Sequence, residues 1–291
     1  MTPRIAQSLG MLLLAATANL GAQSYNAPES AEFHPRLDRH LIGNRSGGNI
    51  LARAPDGSLS VFTADPTSPY GVELLAGTLF VLDSGQLKGY DVDSALPVLS
   101  LPIPAASFLN GITSNGVDTI YISDYTARKI YSVNVADLSA PAIGPTTNVT
   151  PQPNGLVFDR ANNRLLIATW GSNAKVQSLD LSVPGSVPAD LIYTTLTNLD
   201  GIALDCNGAI VVSAWSVCGT SGSPTGCLRR FDPPFTLTST PQVLANNLAS
   251  PADIDYNVAT GQIAVPETGA NRLTLVDTTC EAALFRNDFE R

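Results

Sequence analysis

An internal repeat governs what this chain can become. Six copies of one phrase run from about residue 27 to residue 280. Each copy has a polar or proline-containing lead, an opening residue, an apolar run, a turn, and then further apolar runs. Two clear copies are LNGITSNGVDTIYISDYTARKIYSVNV and PNGLVFDRANNRLLIATWGSNAKVQSLDL. The residues that open successive copies are Glu29, Tyr70, Asn110, Asn154, Asp200 and the pair Ala252-Asp253. Runs such as TIYIS, LLIAT and AIVVSAW are short and rich in β-branched and aromatic residues. Turn pairs separate them: Asp56-Gly57, Asn115-Gly116, Asn162-Asn163 and Asn207-Gly208. DLIYTTL and PQVLANN supply a fourth run in their copies. Four strands every ~40–50 residues is the period of a propeller blade. The chain is therefore expected to be all-β, a six-bladed β-propeller with about four strands per blade, as one domain over residues 23–280. A β-sandwich would use similar strands but would not impose a fixed period. No helix is expected.

The N-terminal 22 residues read differently. Arg4 provides a short positive region, Met11–Ala16 an apolar core, and Leu20-Gly21-Ala22 a small-residue cleavage site. This is a signal peptide, cleaved near Ala22, and it implies a secreted or periplasmic protein. Its apolar run is well short of the ~20 residues that cross a bilayer. Residues 281–291 read as a C-terminal tail or a closing strand. Export makes the four cysteines candidates for disulfides. Cys218 and Cys227 bracket the loop GTSGSPTG, a natural place for a staple. Cys206 and Cys280 then pair by elimination.

Composition narrows the function. Charged residues are only 14% of the chain, and 25 acids against 16 bases give a formal charge of −9. That balance argues against nucleic acid, whose binding needs Lys and Arg to displace counterions, and against a membrane partner. With His34 and His40 as the only histidines, a His-rich zinc site is disfavoured. Both are expected at the surface of blade one. A small-molecule substrate or ligand and a monomeric protein are expected.

The first strand of a propeller blade runs along the central channel, so the opening residues converge at its mouth. A ring of carboxylates and amide oxygens there suits a hard cation, because Ca²⁺ takes six to eight oxygen ligands. Asn, Asp and Gly before a strand are also ordinary turn residues; the joint placement at equivalent repeat positions favours the ligand reading. The second strands end on the same face. Asp124, Trp170, Trp215 and Glu267, with Tyr70 and Asp253 from the openers, are therefore candidate walls of a substrate pocket. The two tryptophans suit a flat or apolar molecule. Packing between blades would equally account for them.

The phrases PESAEFHPRLDRHLIGNRSGGNI, PNGLVFD and LDGIALDCNGAIVVSAW resemble the regucalcin/gluconolactonase family of six-bladed propellers. The resemblance spans nearly the whole mature chain. It implies a divalent cation, usually calcium, at the channel mouth, with Glu29, Asn154 and Asp200 as metal ligands. It further implies that Asn110 contacts substrate or cation and that Asp200 is the general base or nucleophile. The implied activity is hydrolysis of lactones or related esters. A non-catalytic ligand- or protein-binding propeller of the bacterial envelope is the alternative. Two features depart from the family: Ser30 follows Glu29 where Gly is common, and no Arg or Lys matches the family's basic substrate-binding positions.

Overall fold

The computed structural model describes residues 23–218, 225–278 and 280. The signal peptide and the C-terminal tail expected from sequence lie outside the described residues, as does most of the loop between Cys218 and Cys227. Six antiparallel sheets follow one another along the chain, each a meander; in blade three the outer edge is two short strands, Ala142–Ile143 and Thr147–Asn148, that both pair with the third. Blade one is built from Pro28–His34, Arg39–Asn44, Asn49–Arg53 and Leu59–Thr63. Blade two runs from Pro69 to Pro102, blade three from Leu109 to Asn148, and blade four from Pro153 to Tyr193. Blade five runs from Leu199 to Leu248. Blade six has three strands among the described residues, Asp255–Asn257, Gln262–Glu267 and Arg272–Asp277. The only helical turns described are Arg45–Gly47 and Arg160–Asn162. No described helix is long and apolar enough to cross a membrane.

The core is six separate clusters, one at each junction between neighbouring blades. This is why the strands read as nearly continuous apolar runs. In the second strand of blade four, Leu165 and Ile167 pack toward blade three while Leu166 and Ala168 pack toward blade five. Both faces of the sheet are buried, so alternation between polar and apolar residues is lost. Each fully buried Leu, Ile or Val contributes about 1.5–3 kcal/mol, and all four residues are inaccessible to solvent.

The turn pairs form as expected: Gly57, Gly116 and Gly208 each take a positive φ. The glycines after the openers have another use. Innermost strands of adjacent blades approach so closely that a Cβ on Gly111 would sit 2.2 Å from the carbonyl oxygen of Asn154, and one on Gly155 would sit 2.4 Å from that of Asp200. The repeated Asn-Gly and Asp-Gly of the openers are thus close-packing pairs rather than turns. Ser30, in the equivalent place of blade one, donates its hydroxyl to the carbonyl of Tyr70 across the same junction.

The ring closes between blades six and one through Asp253 N–H to the Glu29 carbonyl at 3.0 Å and Thr268 Oγ1 to the Pro28 carbonyl at 2.7 Å. Both expected disulfides are present, Cys218–Cys227 and Cys206–Cys280. The second ties a turn of blade five to the end of blade six. The histidines differ from expectation. His34 and His40 are buried: His40 lies at the junction with blade six, near Asn257, Gln262 and Leu275, whereas His34 is held in its own turn, Nδ1 accepting from Leu37 N–H at 3.1 Å, with Asp93 of blade two among its charged neighbours. His40 packs on Phe33 at 5.2 Å, and burial pushes its imidazole down to about 4.

Candidate functional site

Strand register defines the mouth of the channel. In every blade the residue before the opener pairs with the last residue of the second strand: Pro28 with Asn44, Pro69 with Asp83, Leu109 with Asp124, Pro153 with Thr169, Leu199 with Ala214, and Pro251 with Glu267. The six openers are therefore Glu29, Tyr70, Asn110, Asn154, Asp200 and Ala252. Asp253 falls one residue beyond; it lines the channel cavity while its charge still bears on Asp200 and Glu29 at the mouth.

The same register sorts the candidate wall residues into two kinds. Asp124 and Glu267 end their second strands and are taken up by backbone donors of the incoming loop. Asp124 accepts from Ser107 N–H at 2.6 Å, Phe108 N–H at 3.0 Å and Ala127 N–H at 2.7 Å. Glu267 accepts from Ala249 N–H at 2.8 Å and pairs with Arg272 at 2.6 Å. Trp170 and Trp215 lie one residue further along, and the residues equivalent to them elsewhere are Arg45, Ser84, Tyr125 and Thr268. The N–H groups of Tyr125, Trp170, Trp215 and Thr268 bond to the carbonyls of Phe108, Gln152, Asn198 and Ser250, each two residues before an opener. An outer ring thus surrounds the openers.

The two rings meet around Glu29. Its carboxylate lies 3.6 Å from the Arg45 guanidinium and accepts from Thr268 Oγ1 at 3.2 Å. Arg45 also stands 5.6 Å from the centre of the Tyr70 ring. Sequence reasoning found no basic residue for the mouth; a one-residue shift in aligning the second-strand ends would have set Arg45 beside Trp170 and Trp215.

Glu29, Asn110, Asn154 and Asp200 are all buried. Asn154 Oδ1 and Asp200 Oδ1 have no hydrogen-bond partner. A buried oxygen without a partner is costly, and a native site normally satisfies it. Burial first, then the nearby charges of Glu29 and Asp253, hold the Asp200 carboxyl well above the usual carboxylate range, with Arg45 opposing. Burial also raises Glu29, against Arg45 and Thr268. Two carboxylates that disfavour each other's charge and two unpartnered acceptor oxygens form a donor set that fits a hard cation. Asn110 completes the arc of openers between Tyr70 and Asn154. Among the described residues no three His, Cys, Asp or Glu side chains assemble as a metal group; the set here mixes two carboxylates with amides.

Below the mouth, the innermost strands enclose a cavity of about 190 Å³ lined by Glu32, Glu73, Asp253 and Asp255. Burial pushes Glu73 up to about 7 and Asp255 up to about 6, and holds Glu32 and Asp253 well above the carboxylate range.

Solved structures share this architecture. A gluconolactonase from Xanthomonas campestris matches with a TM-score of 0.69 at 12% identity, over 88% of this chain and 87% of that one. A protein described as a putative gluconolactonase matches with a TM-score of 0.62 at 15% identity, over 90% and 94%. A luciferin-regenerating enzyme matches with a TM-score of 0.63 at 10% identity, over 87% and 91%. The fold is the six-bladed propeller of these enzymes. No family model and no curated protein matches the sequence. At these identities the likeness concerns the fold, and function rests on the site.

Proposed function

We propose that this protein is an exported, divalent-cation-dependent hydrolase of lactones or related esters, with calcium as the cation. The observation that carries the reading is the pair of buried, unpartnered oxygens, Asn154 Oδ1 and Asp200 Oδ1, beside a second buried carboxylate. The gluconolactonases among the structural neighbours support the lactone class, and two disulfides fit an oxidising compartment. Glu29, Asn154 and Asp200 would hold the cation, which would supply Lewis-acid polarisation of the ester carbonyl. Asp200 takes a proton from the attacking water, or attacks the acyl carbon itself. Asn110 orients the ester. Arg45, next to Glu29, would offer a positive charge to the carboxylate that ring opening generates.

The test is thermal unfolding with calcium and with chelator, for the native protein and Asp200→Asn, together with a lactone panel. Calcium at about a hundredfold excess over Kd should stabilise by ~2.7 kcal/mol, and Asp200→Asn should abolish both that gain and turnover. Identical melting with calcium and chelator would overturn the metal site. A silent panel on a calcium-stabilised protein would leave a binding propeller.

A further inference from the structure

The mouth has two unlike halves. On blades two to five, five half-buried rings form an unbroken chain. Tyr70 meets Phe108 edge-on at 4.9 Å, and Phe108 meets Tyr125 at 5.7 Å. Tyr125 meets Trp170 edge-on at 5.8 Å, and Trp170 meets Trp215 at 6.2 Å. These residues span positions 70 to 215 in sequence, so packing of each blade on the next assembles them. The other half of the mouth is polar, with Arg45 and Thr268 each set against the Glu29 carboxylate. Asn154 and Asp200 open blades four and five, the blades that carry Trp170 and Trp215, and their Oδ1 atoms are buried and without partners.

An aromatic wall beside buried, unsatisfied acceptors selects for shape and polarity together. A planar aromatic body gains from edge-to-face and stacked contacts beyond simple area burial. A polyhydroxylated ring placed there could satisfy the two acceptor oxygens with one or two hydroxyls, but its other hydroxyls would give up hydration against the faces of the rings, and each unpaired group carries a penalty. We infer that this mouth takes a ligand with a flat aromatic body lying along Tyr125, Trp170 and Trp215 and its polar end at Asn154 and Asp200. Resting on the hydrolase reading above, the substrate class is an aryl-fused or aryl-substituted lactone rather than a sugar lactone.

The chain has two tryptophans, Trp170 and Trp215, so intrinsic tryptophan fluorescence reports on this wall alone. The test uses lactams, which resist hydrolysis: dihydroquinolinone as the aryl-fused probe, δ-valerolactam as the bare ring, and gluconolactam as the sugar analogue. Each is titrated calorimetrically and by fluorescence into the calcium-loaded protein. Dihydroquinolinone should quench the tryptophans and bind at least about tenfold more tightly than either comparator. Trp170→Ala and Trp215→Ala should each erase most of that preference, while Trp170→Phe keeps most of it and controls for folding. Equal affinities, tightest binding of gluconolactam, no binding at all, or an undiminished preference in Trp170→Ala would overturn the inference. Tight dihydroquinolinone binding with no turnover of dihydrocoumarin would sink the hydrolase reading and leave the ligand class standing.

Discussion

Gly111→Ala tests how the fold holds the site. Gly111 follows the opener Asn110, and the strand of blade four passes directly against it. A methyl group there would lie 2.2 Å from the Asn154 carbonyl oxygen and 3.0 Å from both the Asn154 carbonyl carbon and the Gly155 Cα. The first contact is about 1 Å short of an ordinary van der Waals separation. All three obstacles are backbone, so no side chain can rotate away, and blade four must move. Overpacking of this kind typically costs 1–3 kcal/mol and sometimes more; with rigid obstacles on every side, about 3 kcal/mol is expected. In a protein of this size each kcal/mol lowers Tm by roughly 2–4 °C, which gives a loss of about 6–12 °C. The shift also displaces Asn154, so calcium stabilisation should shrink in the same variant. Differential scanning calorimetry with and without calcium measures both. Ser30→Gly is the control, because that junction already accommodates a side chain hydrogen-bonded to Tyr70; it should change Tm little. A Gly111→Ala protein that melts and responds to calcium like the native one would refute the close-packing account of the openers.

Three further outcomes are expected. In chelator, stability should fall as pH rises from the unfolded-state values of 4.5 for Glu73 and 3.8 for Asp255 through their native values of about 7 and about 6, because a carboxyl whose native pKa is raised stabilises only while protonated; Glu73→Gln should flatten the upper part of that slope in denaturant titrations. Replacing Cys206 and Cys280 by Ser, which opens a crosslink between residues 74 apart, should cost about 4 kcal/mol, against about 3 kcal/mol for the Cys218–Cys227 pair with its separation of 9; urea unfolding of the two double variants ranks them. Arg45→Met should lower stability in chelator by roughly 1 kcal/mol, a discounted value for a partly exposed ion pair, yet tighten calcium binding, since it removes a positive charge beside Glu29; calorimetric Kd values and melts together check the opposite signs.

Much of the fold is legible along the chain because a propeller is nearly one-dimensional. Each blade forms from consecutive residues, so the repeat, the turn pairs and the strands DLIYTTL and PQVLANN all have local signatures. The opening residues are legible for the same reason: Glu29, Asn110, Asn154 and Asp200 recur at one point of the phrase. What the repeat leaves ambiguous is a single residue of register. That ambiguity hides Arg45, leaves Ala252 and Asp253 undivided as the opener of blade six, and groups Asp124 and Glu267 with the tryptophans although hydrogen bonding to neighbouring loops uses their carboxylates. The histidines mislead because polarity suggests exposure, whereas the junction with blade six covers His40 and the turn after the first strand takes up His34.

The sequence by itself determined the number of blades, the order of their strands and the residue types that open them, since these depend on local periodicity and turn chemistry. Only the tertiary structure decided which side chains share the mouth. Tyr70, Phe108, Tyr125, Trp170 and Trp215 become one wall through contacts within and between successive blades, and Glu29 meets Arg45 of its own blade and Thr268 of blade six. Packing of each blade on the next sets the aromatic contacts and ring closure brings Thr268 to Glu29, and no periodicity within a blade encodes either.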